Sequence, residues 1–496
     1  GLVSDVVYDG LAFRLRARLH QAAGEAIENL GDASGTDATM LSLHFSKAGD
    51  AERTYRYATA AARRADRAHV ASEAAVHYER AIEATKRIEE VGDDELRLLL
   101  IGLGDSRQQA GLFDAALEAY GRAARIAGDD AVARAELHLR RAKVREVSGA
   151  YSLALGETTR GRKLATAIDG PESDAVQAQL LALAAIVRSR QQHPEQARRT
   201  GLEAAALAER CAERKALATA YTAIFLAEVQ LGGQGTASWA RQALELYEAL
   251  GDRECQSSMA NNLGVIAYFD SRWDETVERY RQAVESDRRS GRLREAAMCE
   301  ANVGGVLVSQ GRLDEAEPLL GNAVRVLRAS EYGGVPFAEM HLARLLTARG
   351  NFDEAEHLLR AAAEQWQASG SAASAHETAV HLADCLNRLG RPEEALDTLA
   401  QFAGAKAEEI AIFDAARAAV SARALIDLGR VDEARETICH GVGVARNREL
   451  TYDLARLLLL ADRIGPSLDK RLGTSKPTEE AYELLNRLGV VAPLPA

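Results

Sequence analysis

An all-α solenoid of helical hairpins, wound as a right-handed superhelix, is the fold this sequence predicts, and three observations predict it. A phrase recurs: residues 310–320 read QGRLDEAEPLL and residues 349–359 read RGNFDEAEHLL. Drifting copies put the turn at Gly111, Gly149, Gln192, Gly233, Ser271, Gly311, Gly350, Gly390 and Gly429, spaced 38 to 43 residues apart, the last four steps being 39 or 40. A period of this size marks stacked repeats, each touching only its neighbours. Composition agrees, because only 5% of the 496 residues are aromatic and only 9 are Pro, a mix that favours helix over sheet. Finally, apolar residues fall three and four apart on both sides of the turn, as in ANNLGVIAYFD (260–270) and EAEPLLGNAVRVLRAS (315–330). Such spacing draws an apolar stripe down a helix.

Taken in order, residues 1–90 form an N-terminal helical junction with the first atypical hairpins, in FRLRARLHQAAGEAIE (13–28), LSLHFSKAGDAERTYRYATAAARRA (41–65) and ASEAAVHYERAIEATKRI (71–88). Residues 91–464 carry the regular repeats. In each, Gly at the turn closes the first helix in a left-handed conformation. Three residues on, Asp114, Asp274, Asp314, Asp353 and Asp432 are placed to cap the second helix, and Glu317 and Glu356 occupy the capping-box position. Pro392 suits a first helical turn. Ala316, Ala355 and Ala434 leave room for a neighbouring helix. The polar linker at 465–477 leads to a capping helix at 478–489, which completes the last segment, 465–496.

Several functions are excluded or disfavoured. A net charge of −12 repels phosphate, so direct nucleic-acid binding is not expected; the basic run AARRADRAH (61–69) is broken by Asp and Ala at helical spacing. The five cysteines, Cys211, Cys255, Cys299, Cys385 and Cys439, lie too far apart in sequence to suggest a metal cluster or disulfide framework, so reduced thiols in a cytoplasm are expected. No apolar run approaches the ~20 residues of a membrane span. No phosphate-cradling loop, zinc-protease helix or nucleophile elbow occurs, so neither catalysis nor a cofactor is expected.

What remains is surface. Counting nine residues back from successive turns gives Asn262, Asn302, His341 and His381, one row facing the concave groove. Three residues further on come Val265, Gly305, Arg344 and Asp384. The candidate ligand-binding set is therefore Asn262, Asn302, His341, Arg344, His381 and Asp384, denser towards the later repeats. Arg140 and Lys143 form a candidate anion or interdomain patch. Tyr268, Phe269, Trp273 and Tyr280 cluster near one corner and read as packing between repeats.

The small residue in the first helix (Gly264, Gly304), Gly at the turn, and Ala early and again seven later in the second (Ala316, Ala323) together resemble the tetratricopeptide repeat. The usual unit is about 34 residues. The longer period here resembles the effector-sensing superhelix of large bacterial signal-transduction ATPases such as the maltose regulator. The N-terminal segments quoted above resemble the junction that follows the nucleotide-binding module in actinobacterial STAND/AAA-type ATPases coupled to adenylate/guanylate cyclases; related tails occur in LuxR-type transcriptional regulators. The resemblance implies a regulatory arm in the cytoplasm, binding a protein, peptide or small-molecule effector and working with an upstream nucleotide-binding domain of the same polypeptide. The first residue being Gly1 rather than Met fits a piece of a longer chain. A passive protein–protein scaffold is the alternative.

Overall fold

The computed structural model describes residues 11–30, 37–68, 70–89, 91–231, 236–330, 334–369, 371–401, 413–465 and 469–492, which form helices joined by short connections, with no strand among them. The turn placed at Gly233 lies outside the described residues. By internal contacts the chain divides into two units, Gly1–Leu246 and Tyr247–Ala496.

The first unit contains α1 (Phe13–Leu30), α2 (Asp37–Ala48), α3 (Ala51–Arg67), α4 (Ala71–Thr85), α5 (Asp93–Gln109), α6 (Phe113–Ile126), α7 (Ala131–Val147), α8 (Tyr151–Ala165), α9 (Pro171–Arg190), α10 (Pro194–Arg210) and α11 (Arg214–Gln230); the division falls inside α12 (Ala237–Leu250). The second contains α13 (Arg253–Phe269), α14 (Trp273–Arg289), α15 (Leu293–Gln310), α16 (Leu313–Ala329), α17 (Val335–Arg349), α18 (Phe352–Ala368), α19 (Ala372–Arg388), α20 (Pro392–Gln401), α21 (Asp414–Asp427), α22 (Val431–Asn447), α23 (Thr451–Ile464), α24 (Asp469–Leu472) and α25 (Pro477–Arg487). Within each unit most consecutive helices pack side by side, and many first helices also touch the first helix of the next hairpin. This is a tetratricopeptide-like hairpin stack. Within the predicted linker the short α24 forms, and the capping helix starts one residue earlier than expected, at Pro477.

The corner phrase does what its Gly implies. Gly311 and Gly350 adopt φ of 78° and 84°, and the next amide reaches back five residues: Arg312 N to Leu307 O at 2.9 Å, Asn351 N to Leu346 O at 2.9 Å. That pairing satisfies carbonyls which the ending helix would orphan. Where the phrase lacks Gly the geometry persists, with Gln192 at φ 61° and Ser271 at φ 59°. The acids correct the sequence reading. The second helix starts one residue before each Asp, so Arg312 and Arg430 hold the N-cap position with no side-chain cap bond, while Asp314 and Asp432 sit inside the first turn. There they complement the helix dipole and pair with arginines, Arg349 to Asp314 at 2.7 Å and Arg435 to Asp432 at 2.7 Å. Glu317 and Glu356 likewise serve ion pairs, with Arg349 at 2.9 Å and Arg391 at 2.8 Å. True Asp caps are found on α3, α7 and α13, where Asp50, Asp130 and Asp252 accept from the backbone three residues on.

The small positions are steric. A Cβ on Gly264 would lie 2.6 Å from the Tyr280 ring, and one on Gly304 would lie 2.5 Å from Leu320 Cγ. Ala316, Ala355 and Ala434 are fully buried. The longer period resides in the helices, with α13, α14 and α16 at 17 residues and α15 at 18.

The cores of the two units differ in kind. In the first, clusters succeed one another along the chain, Ala58 to Val144, Ala135 to Val187 and Ala178 to Ile224, as nearest-neighbour stacking requires. In the second, one cluster joins Trp273, Val277 and Tyr280 to Leu454, Leu458, Leu485 and Val490. The last hairpins return to the first. Ser271 Oγ hydrogen-bonds Thr451 Oγ1, and Trp273 and Tyr452 meet with ring centroids 5.1 Å apart. Buried Gln310 donates to Leu488 O at 2.9 Å and accepts from Val491 N at 2.9 Å. The second unit is a turn of hairpins closed on itself.

Candidate functional site

Closure leaves a cavity of about 340 Å³ within the second unit, lined chiefly by the first helices of its hairpins, α13, α15, α17, α19, α21 and α23. One wall is aromatic. The Tyr268 and Trp273 rings are stacked at 5.5 Å, and Phe269 meets Tyr268 edge-on at 5.5 Å. Tyr268 and Phe269 keep 37% and 48% of their surfaces accessible and line the cavity; Trp273 lines it too while belonging to the core, and Tyr280 is core alone. The aromatic corner read as packing is thus partly packing and partly cavity wall, with Trp273 serving both. Burial pushes the Tyr268 and Tyr452 phenols up, so both remain neutral donors.

The opposite side is charged. Asp384 accepts from Arg388 Nε at 3.0 Å and from Arg456 at 3.3 Å. Burial alone would raise its pKa, but these two cations outweigh that and hold the carboxyl below its ordinary range. Arg456 also approaches Asp453 at 3.9 Å. Burial pushes Asp453 and Glu377 up, with Arg344 opposing in both cases. Arg344 itself donates to Ser309 Oγ at 2.7 Å and to His341 Nδ1 at 3.0 Å, and no carboxylate of the described residues pairs with it. Burial, then the Arg344 charge, drives the His341 pKa well below 6.5. The imidazole is therefore neutral, its Nδ1 is the acceptor, and its proton sits on Nε2. His341 also meets Phe337 edge-on at 4.6 Å and packs over Gly305, where a Cβ would come within 2.7 Å of the ring. His381 is held neutral by burial and by Arg344, His341 and Arg456 in turn.

Of the residues singled out from sequence, Arg344, His381 and Asp384 line this cavity together. His341 stands behind Arg344 as its support. Asn302 instead donates to Asn261 at 3.2 Å, a bond between neighbouring hairpins, and Asn262 is half-buried outside the lining. Arg140 lies in the first unit, bound to both oxygens of Asp105 at 2.7 Å while Tyr120 donates to the same carboxylate. Lys143 is half-buried with a partner of its own. One helix face away, Glu157, 1% exposed, gathers His138 at 2.7 Å, Arg141 at 3.2 Å and Arg160 at 3.2 Å. An anion arriving at this patch would compete with carboxylates already in place.

Sequence reasoning passed over Ser309, Glu377, Tyr452, Asp453 and Arg456. Glu377 could have been found, since it lies one helical turn before His381 on the same face. Tyr452, Asp453 and Arg456 belong to the returning hairpin, which a linear period does not foretell.

Among the described residues no helix is long and apolar enough to cross a membrane, and no group of three or more His, Cys, Asp or Glu is arranged to hold a metal. The five cysteines are unbridged; Cys299 and Cys385 are buried, and burial pushes the Cys299 and Cys255 thiols up to about 12.

Stacked helical hairpins with Gly corners and small-residue contacts, and no strand among the described residues, define a tetratricopeptide-like solenoid fold. The tetratricopeptide repeat family model matches residues 336–402. No curated protein matches the sequence. Similar solved structures include a Signal Transduction ATPase with Numerous Domains protein with a tetratricopeptide repeat sensor from Pyrococcus horikoshii, 12% identical over 71% of this chain and 53% of that one, TM-score 0.47. Aspartyl phosphate phosphatase F from Bacillus subtilis is 11% identical over 71% and 93%, TM-score 0.44, and yeast Tom70 is 16% identical over 84% and 99%, TM-score 0.32. The chain spans about half the length of the first of these.

Proposed function

We propose that this chain is a non-catalytic, effector-binding regulatory arm of a larger bacterial signalling ATPase, of the cyclase- or transcription-regulator-linked kind. The supporting observation is the cavity of residues 247–496: an aromatic wall faces a few convergent polar groups in a concave space, as in small-ligand sites. Arg344, Glu377, His381, Asp384 and Arg456 come from three helices, α17, α19 and α23, so a bound effector would contact opposite sides of the closed turn at once. It would therefore bind the closed arrangement more tightly than an opened one, the differential affinity that any ligand-driven switch requires. An upstream nucleotide-binding domain would read that difference.

The test screens a library of neutral, cationic and anionic small molecules and short peptides against the chain. Thermal unfolding and Trp273 fluorescence provide the readouts, with His381→Phe as the cavity-filling control. The expected result is one or more compounds that raise the unfolding midpoint in the native chain and not in His381→Phe. Absence of binding in every class, with a protein partner co-purifying instead, would favour a passive scaffold.

A further inference from the structure

The charges around the cavity do not balance evenly. Asp384 is shared by Arg388 and Arg456, and Arg456 also faces Asp453, so these four groups largely answer one another. Arg344 stands apart. Its two bonded partners, Ser309 and His341, are neutral acceptors, and a guanidinium offers five N–H donors. His341 cannot relieve the charge, and Ser309, itself buried, passes its own hydrogen to Gly305 O at 3.2 Å. Two further carboxyls line the cavity, Glu377, which burial shifts towards its protonated form, and exposed Glu449; neither forms an ion pair with Arg344. Arg344 is half-buried and has no carboxylate partner, and a planar fork with free donors fits a carboxylate in two parallel bonds. Beside it, the partly accessible Tyr268 and Phe269 line the same cavity, and Phe413 lines it from α21's N-terminal end. Its volume, about 340 Å³, lies near the lower end for small-molecule sites.

We propose that the cavity takes a small organic acid with an aromatic body, its carboxylate accepting hydrogen bonds from Arg344 and its ring lying against Tyr268 and Phe269. The assignment rests on the effector-site reading above and adds the chemical class. Ser309 and His341 act as positioning residues: they fix the guanidinium so that its unused N–H groups face inward. Rigid placement of this kind lowers the ordering cost of binding.

Calorimetric titration of the whole chain uses 1-naphthylacetate, 3-indolepropionate and 4-phenylbutyrate, each beside its primary amide and the matching amine. A pentapeptide ending in phenylalanine is a further arm. At least one acid binds, and its amide binds at least tenfold more weakly. Arg344→Met lowers affinity for that acid at least tenfold and leaves the amide unchanged, whereas Tyr268→Ala weakens both. Arg344→Lys keeps the charge but loses the fork and gives an intermediate loss, which keeps the comparison informative should Arg344→Met fold poorly. The proposal is overturned if acid and amide bind alike, if the amine binds best, if none of the acids binds, or if both Arg344 variants retain the acid. Tighter binding of the pentapeptide than of every small acid overturns the small-molecule source. A neutral or cationic ligand that binds the cavity would sink this proposal and leave the effector-site reading standing; silence from every compound class would sink both.

Discussion

His341 shows how much one side chain carries here. It is buried, neutral, and accepts the hydrogen bond that aims Arg344. Because its folded-state pKa is depressed, the unfolded chain takes up a proton near 6.5 that the folded chain refuses. The stabilising contribution is therefore fully present above about pH 6.5 and is lost as pH falls from there towards the lowered value. Between pH 6.5 and 5.5 the loss attributable to His341 should be about 1 kcal/mol, the scale of one pKa unit. Urea titrations at pH 7.5 and 5.5 check it: the native chain should lose more stability between them than His341→Gln, which keeps an acceptor for Arg344 but does not titrate. Equal losses would show that the imidazole already exchanges protons in the folded state.

At the level of the hairpin, the corner conformation is imposed by the stack and Gly merely lowers its cost. Gln192 and Ser271 hold φ near 60° because their helices must still turn at that point. A residue bearing Cβ costs roughly 1–2 kcal/mol there, and Gly costs less, although it also loosens the unfolded chain. Exposed Gln192, whose side chain carries no packing, should gain about 0.5–1 kcal/mol on replacement by Gly. Gly350→Ala should lose about 1 kcal/mol at an equally open corner, where no atom lies within 4 Å of the added Cβ. Denaturant midpoints of the two variants, moving in opposite directions, measure the conformation alone. Ser271 is a different case, because its hydroxyl bonds Thr451 and ties the corner to the returning hairpin.

Across the molecule as a whole, the two units apply one hairpin to different ends. Residues 1–246 keep their apolar contacts between successive hairpins, while residues 247–496 bring last and first hairpins into a common core around a cavity. Gln310 sits at that closure with its side-chain amide and its backbone carbonyl both engaged. Gln310→Leu leaves the Leu488 carbonyl without its donor, a cost of about 1–3 kcal/mol. Amide exchange should then quicken in α25 and α23 while residues of α3 to α7 stay protected; uniform change, or none, would deny that closure is a local latch.

The period, the Gly corners, the buried Ala316, Ala355 and Ala434 and the tight Gly264 and Gly304 contacts were legible in the sequence, because each is a local demand that a neighbouring hairpin makes on a fixed position. Arg344, His381 and Asp384 were reachable for the same reason: helical spacing places them on one face of successive first helices. The Asp residues were read one step wrong, since helix start depends on where the corner releases the chain and not on the acid alone. Only the tertiary structure decided that residues 247–496 close. It alone brought Tyr452, Asp453 and Arg456 opposite Arg344, and it alone separated Tyr268 and Phe269 from the core beside Trp273. Nearest-neighbour periodicity records what each hairpin does to the next; whether the small rotations add up to a closed turn is a property of their sum, which no single repeat encodes.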